Sequence, residues 1–206
     1  MNEIMLKLSN NNYHYLTEKR CLNNDSIAFF KLFNGVTGEI CFPYYKNDIL
    51  VNVKHYIPAK NEEKKKFWDE KECELCLFNQ DNIDGNEYLI ICEGHMDCIS
   101  FYQYGLKNVV SVPNGCLNLA WIENDYEFLD KFQEIYLCMD TDAAGQKNIE
   151  KIVARLGNWR VKNVILPHKD ANDCLMHGVS KEEISKCFED AEEFGPIEIK
   201  TAGSMN

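Results

Sequence analysis

This 206-residue chain is short of several things, and each shortage narrows what it is. It has no run of about 18 uninterrupted apolar residues, the minimum for a membrane-spanning helix. Its first residues, Met1-Asn-Glu-Ile-Met-Leu-Lys7, lack the long apolar core and cleavage site of a signal peptide, so a cytoplasmic or otherwise intracellular location is expected. Internal repeats, low-complexity tracts and heptads are missing too, and the chain is expected to be a monomer. Basic residues are outnumbered, 22 Lys and Arg against 33 Asp and Glu, which gives a net charge of −11. That balance argues against a general nucleic-acid coat, which needs a basic domain. Ten cysteines are present, but a chain this long needs no disulfide framework. Cys92, Cys138 and Cys41 fall in apolar strand-like runs and Cys98 on a helix, the placement of small buried residues. Cys73-Glu-Leu-Cys76 has the spacing of half a zinc site, yet no second Cys-x-x-Cys or His pair follows, so zinc is not expected there.

What is present is more telling. Glu93-Gly94-His95-Met96-Asp97 follows the apolar run Tyr88–Cys92, and Asp140-Thr141-Asp142 follows Ile135–Met139. Short apolar runs between helical segments read as buried parallel strands. Both acidic clusters then stand at strand C-termini, where open α/β sheets bind their ligands. Like charges about 4 Å apart cost roughly 1 kcal/mol in water and several-fold more in a lower dielectric. A divalent cation between them relieves that cost. Oxygen-only ligands with an open side suit Mg2+, or Mn2+. Such a site supports phosphoryl transfer, because the ion neutralises phosphate oxygens and orients an in-line attack. Glu93, Asp97, Asp140 and Asp142 are therefore the expected metal acids. His168-Lys169-Asp170-Ala171-Asn172-Asp173 follows the run Val164–Pro167 and belongs on the same sheet edge. Asp170 either completes the metal site, the preferred reading, or caps the next turn. Pro113-Asn114-Gly115 also belongs on that edge, as a substrate-facing turn or an ordinary one. His95 reads as a solvated histidine at a helix start.

The chain changes character along its length. Ser9–Arg20 is polar and suggests a short helix. Three β-like runs follow, Ser26–Phe33, Glu39–Tyr45 and Ile49–Ile57, separated by turn residues. In the third, Leu50, Asn52, Lys54 and Tyr56 share one face and Val51, Val53, His55 and Ile57 the other, which predicts a small antiparallel unit with one apolar face. Lys54, Lys60, Lys64, Lys65, Lys66 and Lys71 crowd one segment. They read as a solvated loop over 58–71, or as a basic strip facing the acidic site. From Glu87 the pattern alternates strand and helix, with strands expected at 88–92, 108–112, 134–139 and 163–166. Ile149, Ile152, Val153 and Leu156 mark an amphipathic helix closed by Gly157. Ser180-Lys-Glu-Glu183 reads as a capping box opening a last helix, which Phe194-Gly-Pro196 closes. The fold expected is α/β: a parallel sheet of about four strands with helices on both faces, preceded by the antiparallel unit. The division expected is 1–84, 85–195 and a linker stub at 196–206.

Glu93-Gly94…Asp97 followed by Asp140-x-Asp142-x-x-Gly145 on β/α units resembles a Toprim domain, which primases, topoisomerases and several nuclease and recombination families share. Phe42-Pro-Tyr44, Val53-Lys54, Lys66-Phe67, Leu77-Phe78, Asp140–Gly145 and Leu166–Asp173 together resemble the primase region of phage primase-helicases and Twinkle-type helicases, over roughly residues 25–195. The resemblance implies a DNA-directed RNA polymerase core that makes short primers for DNA replication from ribonucleoside triphosphates on a single-stranded DNA template. It implies Glu93 in acid/base or metal chemistry with Asp97, and Asp140, Asp142 and Asp170 as further metal acids. Lys54, Lys64, Lys66 and Lys169 are the expected nucleotide- or template-binding residues. The chain departs from the family in two ways. It has neither the cysteine set of a template-reading zinc-binding domain nor a Gly-x-x-x-x-Gly-Lys-Ser/Thr motor motif, so a helicase and a zinc-binding domain are expected as partners. A Toprim nuclease and a non-catalytic nucleic-acid-binding module attached to a helicase are the alternatives. A topoisomerase is disfavoured, because there is no room for a cleavage domain with a tyrosine nucleophile.

Overall fold

The computed structural model describes residues 7–58, 66–114, 118–139 and 143–194, with side chains except at 66 and 143–148. The described residues open with α1 (Asn10–His14), capped by Ser9 and continued by a π-helical turn over Tyr15–Lys19. Next is α2 (Asn24–Phe29). The Asn23 side chain accepts from Ser26 N at 2.8 Å, and that cap turns the start of the expected Ser26–Phe33 strand into helix. Ile27 and Phe30, three residues apart, are buried on its inner side. Of that run, Phe33 alone joins a strand.

Four antiparallel strands follow in spatial order: β1 (Phe33–Asn34), β2 (Ile40–Lys46), β3 (Ile49–Ile57) and β4 (Lys66–Asp69). β4 corrects the reading of 58–71 as loop throughout, because its backbone extends the sheet from Ile57↔Lys66 to Lys54↔Asp69. The expectation of one apolar face on β3 also fails. Asn52 through Tyr56 are all buried, since the sheet is covered on both sides. Phe33, Cys41 and Val53 form a small cluster on one side, and Tyr56 joins the main core on the other.

The second sheet runs in the order β6-β5-β7-β8-β9. It comprises β5 (Tyr88–Cys92), β6 (Val109–Ser111), β7 (Glu134–Cys138), β8 (Val161–Asn163) and β9 (Glu192–Glu193). The first four are parallel, and β9 is antiparallel to β8. The connections carry α3 (His95–Gln103), α4 (Ala120–Asn124), α5 (Tyr126–Leu129), α6 (Ala143–Leu156), α7 (Ala171–Met176) and α8 (Lys181–Glu189). Gly157 follows α6 at φ 96°, and the Ser180–Glu183 capping box opens α8, both as the residue pattern predicts. β8 comes earlier than the expected 163–166, because Ile165 is 58% exposed and the interior position belongs to Val161. α8 ends at Glu189 rather than at Phe194, and the chain then adds β9, which had no apolar signal.

Strand alternation explains why both faces of this sheet are covered. Ile90 and Cys92 point into a core shared with α3, α7 and α8, whereas Leu89 and Ile91 point into a second core with α5 and α6. The first core does not stop at the sheet. It continues through Phe78 to Phe42, Tyr44 and Tyr56 and on to Leu16, so the antiparallel unit and the parallel sheet share one interior. Burying each such side chain stabilises by about 1.5–3 kcal/mol. The two units are thereby held at a fixed angle around the cleft between them. Among the described residues, no helix is long and apolar enough to cross a membrane.

Candidate active site

β5 and β7 are neighbours with Cys92 level with Cys138, so their C-terminal ends lie side by side. β5 leads to β6 on one side and borders β7 on the other, which makes this the point where strand order reverses. Glu93 leaves β5 there and is half-buried. Gly94 precedes α3 in extended conformation. A Cβ on Gly94 would stand 2.7 Å from Asp97 Oδ2, so the position needs glycine for the carboxylate to fold back over the strand end. Asp97 sits in the first turn of α3, 8% exposed, where the helix dipole favours its charge. Its Oδ1 accepts from the Asn172 backbone N–H at 3.0 Å.

Asn172 ties three segments together. Its side chain donates to Ser100 Oγ and to the Arg20 carbonyl, both at 3.0 Å, and accepts from Arg20 Nη1 at 3.0 Å. Arg20 Nε also donates to the Tyr15 hydroxyl at 2.8 Å, which lies 2.7 Å from that of Tyr56. Asp170 caps α7, its Oδ1 accepting from Asp173 N at 2.7 Å, and it also lines the central cavity. The cap is the role the structure shows, and the cavity lining leaves Asp170 near the acids.

Opposite the acids, Lys54 enters from β3. Its Nζ donates to Asp69 Oδ2 at 2.8 Å, to the Pro113 carbonyl at 3.0 Å and to Asn114 Oδ1 at 2.6 Å. This lysine belongs to no solvated loop. It is 8% exposed and joins the antiparallel sheet to the turn after β6.

His95 corrects another expectation. It is buried, not solvated, among Phe42, Tyr44 and Phe78, with Nε2 2.5 Å from the Tyr44 hydroxyl. Burial, with the Lys54 charge nearby, pushes its imidazole down to about 3. At neutral pH it is an uncharged strut between the two units. Burial likewise pushes the Tyr44 hydroxyl well up.

These groups surround a cavity of about 500 Å3. Glu93, Asp97 and Asp170 line it from the parallel sheet, and Lys54 and Arg20 line it from the N-terminal unit. Phe67, 53% exposed and stacked on Tyr56 at 4.5 Å, stands on its rim. Of the expected site residues, Asp140, Asp142 and Lys64 lie outside the described residues. Lys66 is placed on β4 by its backbone alone. Lys169 is exposed beside Asp170. Sequence reasoning missed Arg20 and, as a keystone, Asn172, whereas Asn114 lines the cavity on the edge expected for its turn. Asn172 lies within a motif already singled out, but Arg20 is 152 residues from the partner that positions it and carries no local signal.

A profile of Toprim-like domains matches residues 90–175. Residues 90–175 form a Toprim-like domain. The Toprim-like segment holds Glu93, Asp97 and Asp170, and the basic wall of the cavity comes from residues before it. The chain is 31% identical over 161 residues to the chloroplastic/mitochondrial Twinkle homolog protein of Arabidopsis thaliana, an alignment covering 66% of this chain and 22% of that protein. It is 30% identical over 161 residues to a primase homolog protein of the same plant, covering 66% of this chain and 46% of that one. The chain thus spans less than half the length of either relative. In fold it is similar to the primase fragment of the bacteriophage T7 primase-helicase, with a TM-score of 0.67, 22% identity, and coverage of 89% of this chain and 80% of that one.

Proposed function

We propose that this chain is the nucleotide-joining core of a DNA primase, which makes short RNA primers on single-stranded DNA. One observation carries the reading: acids from a Toprim-like sheet edge and cations from a separate N-terminal unit line the same cavity. A polymerase site must hold a nucleoside triphosphate, and a cavity of about 500 Å3 is within the range of sites for ligands of that size.

The donor set fits Mg2+ or Mn2+. Glu93 and Asp97 offer hard carboxylate oxygens at a strand end, and Gly94 leaves the space that Asp97 Oδ2 occupies. With Asp140 and Asp142, and Asp170 beside them, they would hold the ion, which when bound neutralises phosphate oxygens in the reaction. The chain's own residues do the rest. Arg20 faces the triphosphate, and Lys54, whose three N–H bonds already hold Asp69, Pro113 and Asn114, adds positive potential from the cavity wall. Asn172, bonded to both, keeps Asp97 and Arg20 in register beside one another. Glu93 takes the proton of the attacking 3′-hydroxyl as the new O–P bond forms and pyrophosphate leaves. Lys64, Lys66 and Lys169 attract the template strand. A helicase and a zinc-binding template reader supply strand separation and start-site choice from other segments or chains.

The test is incubation with ribonucleoside triphosphates and mixed single-stranded DNA in Mg2+ or Mn2+, beside Asp140→Asn/Asp142→Asn. Joined ribonucleotides that vanish in the variant support the proposal. Template cleavage that vanishes in the variant, without joining, moves the chain to the nucleases.

A further inference from the structure

On the side of β3 away from the cavity is a second cluster that the nucleotide chemistry does not use. Glu39 precedes β2, Cys41 lies within it, and His55 is the direct cross-strand partner of Cys41 on β3. All three are buried. Cys41 Sγ is 3.5 Å and Glu39 Oε1 3.1 Å from His55 Nδ1, and the three atoms lie within 4.8 Å of one another.

We propose that Glu39, Cys41 and His55 form a zinc site in the antiparallel sheet, independent of the acids at the end of β5. The spacing fits the ion. With Zn–S of about 2.3 Å and Zn–N and Zn–O of about 2.0 Å, a tetrahedral centre sets S and N about 3.5 Å apart and N and O about 3.3 Å apart. A thiolate, an imidazole and a carboxylate are all established zinc donors, and the thiolate disfavours Mg2+ and Ca2+. The surroundings also suit a ligand set. The other nitrogen, His55 Nε2, is 2.7 Å from Glu70 Oε1, the arrangement in which a carboxylate orients a metal-bound histidine. Glu39 Oε2 accepts from Thr37 N at 3.0 Å and from Thr37 Oγ1 at 2.6 Å, which aims Oε1 inward. A Cβ on Gly35 would stand 2.0 Å from that Oε1, so glycine there clears the carboxylate. Trp68 stacks on the His55 ring at 4.9 Å and 5° and closes the outer side.

Binding is a proton exchange. Zn2+ enters, the Cys41 thiol gives up its proton to solvent, Nδ1 of the neutral imidazole offers its lone pair with the ring proton on Nε2 toward Glu70, and a water takes the fourth position. The ion would staple β2 to β3 one residue from Lys54, and so fix the strand that delivers that lysine to the cavity. Without an ion the same atoms form a Glu39–His55–Glu70 hydrogen-bonded relay, and the measurements below separate the two.

Zinc content of the untagged, full-length chain is measured after exchange into metal-free buffer, and Co2+ is then titrated into chelator-stripped protein. About one zinc per chain and a thiolate-to-cobalt absorption band, with matching partial quenching of tryptophan fluorescence, are expected. Oxygen-only acids at the β5 end give no thiolate band. Cys41→Ser should abolish the band, Glu70→Gln should weaken binding about 10–100-fold, and Cys73→Ser/Cys76→Ser should leave the band intact. Circular dichroism establishes that each variant is folded; if Cys41→Ser does not fold, the Glu70→Gln affinity and the Cys73→Ser/Cys76→Ser spectrum decide. A wild-type chain with no thiolate band, or a band lost with Cys73 and Cys76, overturns the proposal.

Discussion

Replacing Lys54 with Met tests whether that lysine anchors β3 to its neighbour β4 and to the turn after β6. The substitution keeps most of the aliphatic stem and removes the charge and three hydrogen bonds, to Asp69, Pro113 and Asn114. Breaking a fully buried ion pair by removing one partner costs about 3–5 kcal/mol. Here the side chains are 10% and 20% exposed, and Asp69 keeps a hydrogen bond from Asn52 at 3.0 Å. Both facts place the expected loss near the lower end, about 3 kcal/mol. For a chain of this size that lowers the melting temperature by about 6–12 °C. Urea unfolding of wild type, Lys54→Met, Asp69→Asn and the double variant measures the loss and the coupling. The two single losses should exceed the double loss by at least about 1 kcal/mol, because the residues share one interaction. A Lys54→Met loss under about 1 kcal/mol, additive with Asp69→Asn, would refute the bridge.

Three further outcomes are expected. Tyr44→Phe leaves the buried His95 nitrogen without its hydroxyl partner and should cost about 1–3 kcal/mol in urea unfolding, with the secondary structure unchanged by circular dichroism. Gly94→Ala drives a methyl toward Asp97 Oδ2 and should lower nucleotide joining at least tenfold while shifting the unfolding midpoint little, as the carboxylate swings away. Iodoacetamide on the native protein at neutral pH should modify Cys21, and more slowly the half-buried Cys73 and Cys187, and spare the buried Cys76, Cys92, Cys138 and Cys174. Burial pushes the thiols of Cys76 and Cys174 to about 12 and about 11, and those of Cys92 and Cys138 well up, which leaves little thiolate to react. Mass spectrometry of tryptic peptides reads the pattern.

What could be read along the chain was what depends on near neighbours. The run Tyr88–Cys92 announces β5 because each residue in it is buried by one face or the other of a parallel sheet. The spacing of Ile149, Ile152 and Leu156 marks α6, and Ser180 with Glu183 marks the start of α8, for equally local reasons. Glu93, Asp97 and Asp170 were legible as neighbours on one cavity because strand ends and helix starts locate them. The rest needed the third dimension. Phe29 and Phe30 look like strand residues until Asn23 caps the turn before them. His95 looks solvated beside acids, yet its environment is made by Phe42, Tyr44 and Phe78, which lie 17 or more residues away. Lys54 sits in a basic stretch that reads as surface, and its three partners come from β4 and the turn after β6. Arg20 meets Asn172 across 152 residues, a pairing no window on the chain contains.

The account turns on ribonucleotide joining at the acids of the β5 end. Its most direct test is the initial rate of dinucleotide formation on single-stranded DNA as Mg2+ is titrated, for wild type and Glu93→Gln, with a helicase and a zinc-binding partner supplied or withheld. The account predicts Mg2+-dependent dinucleotide from the wild type in at least one of those settings, and a loss of at least 100-fold in Glu93→Gln. Equal rates in the two proteins, or no dinucleotide in any setting, would contradict it.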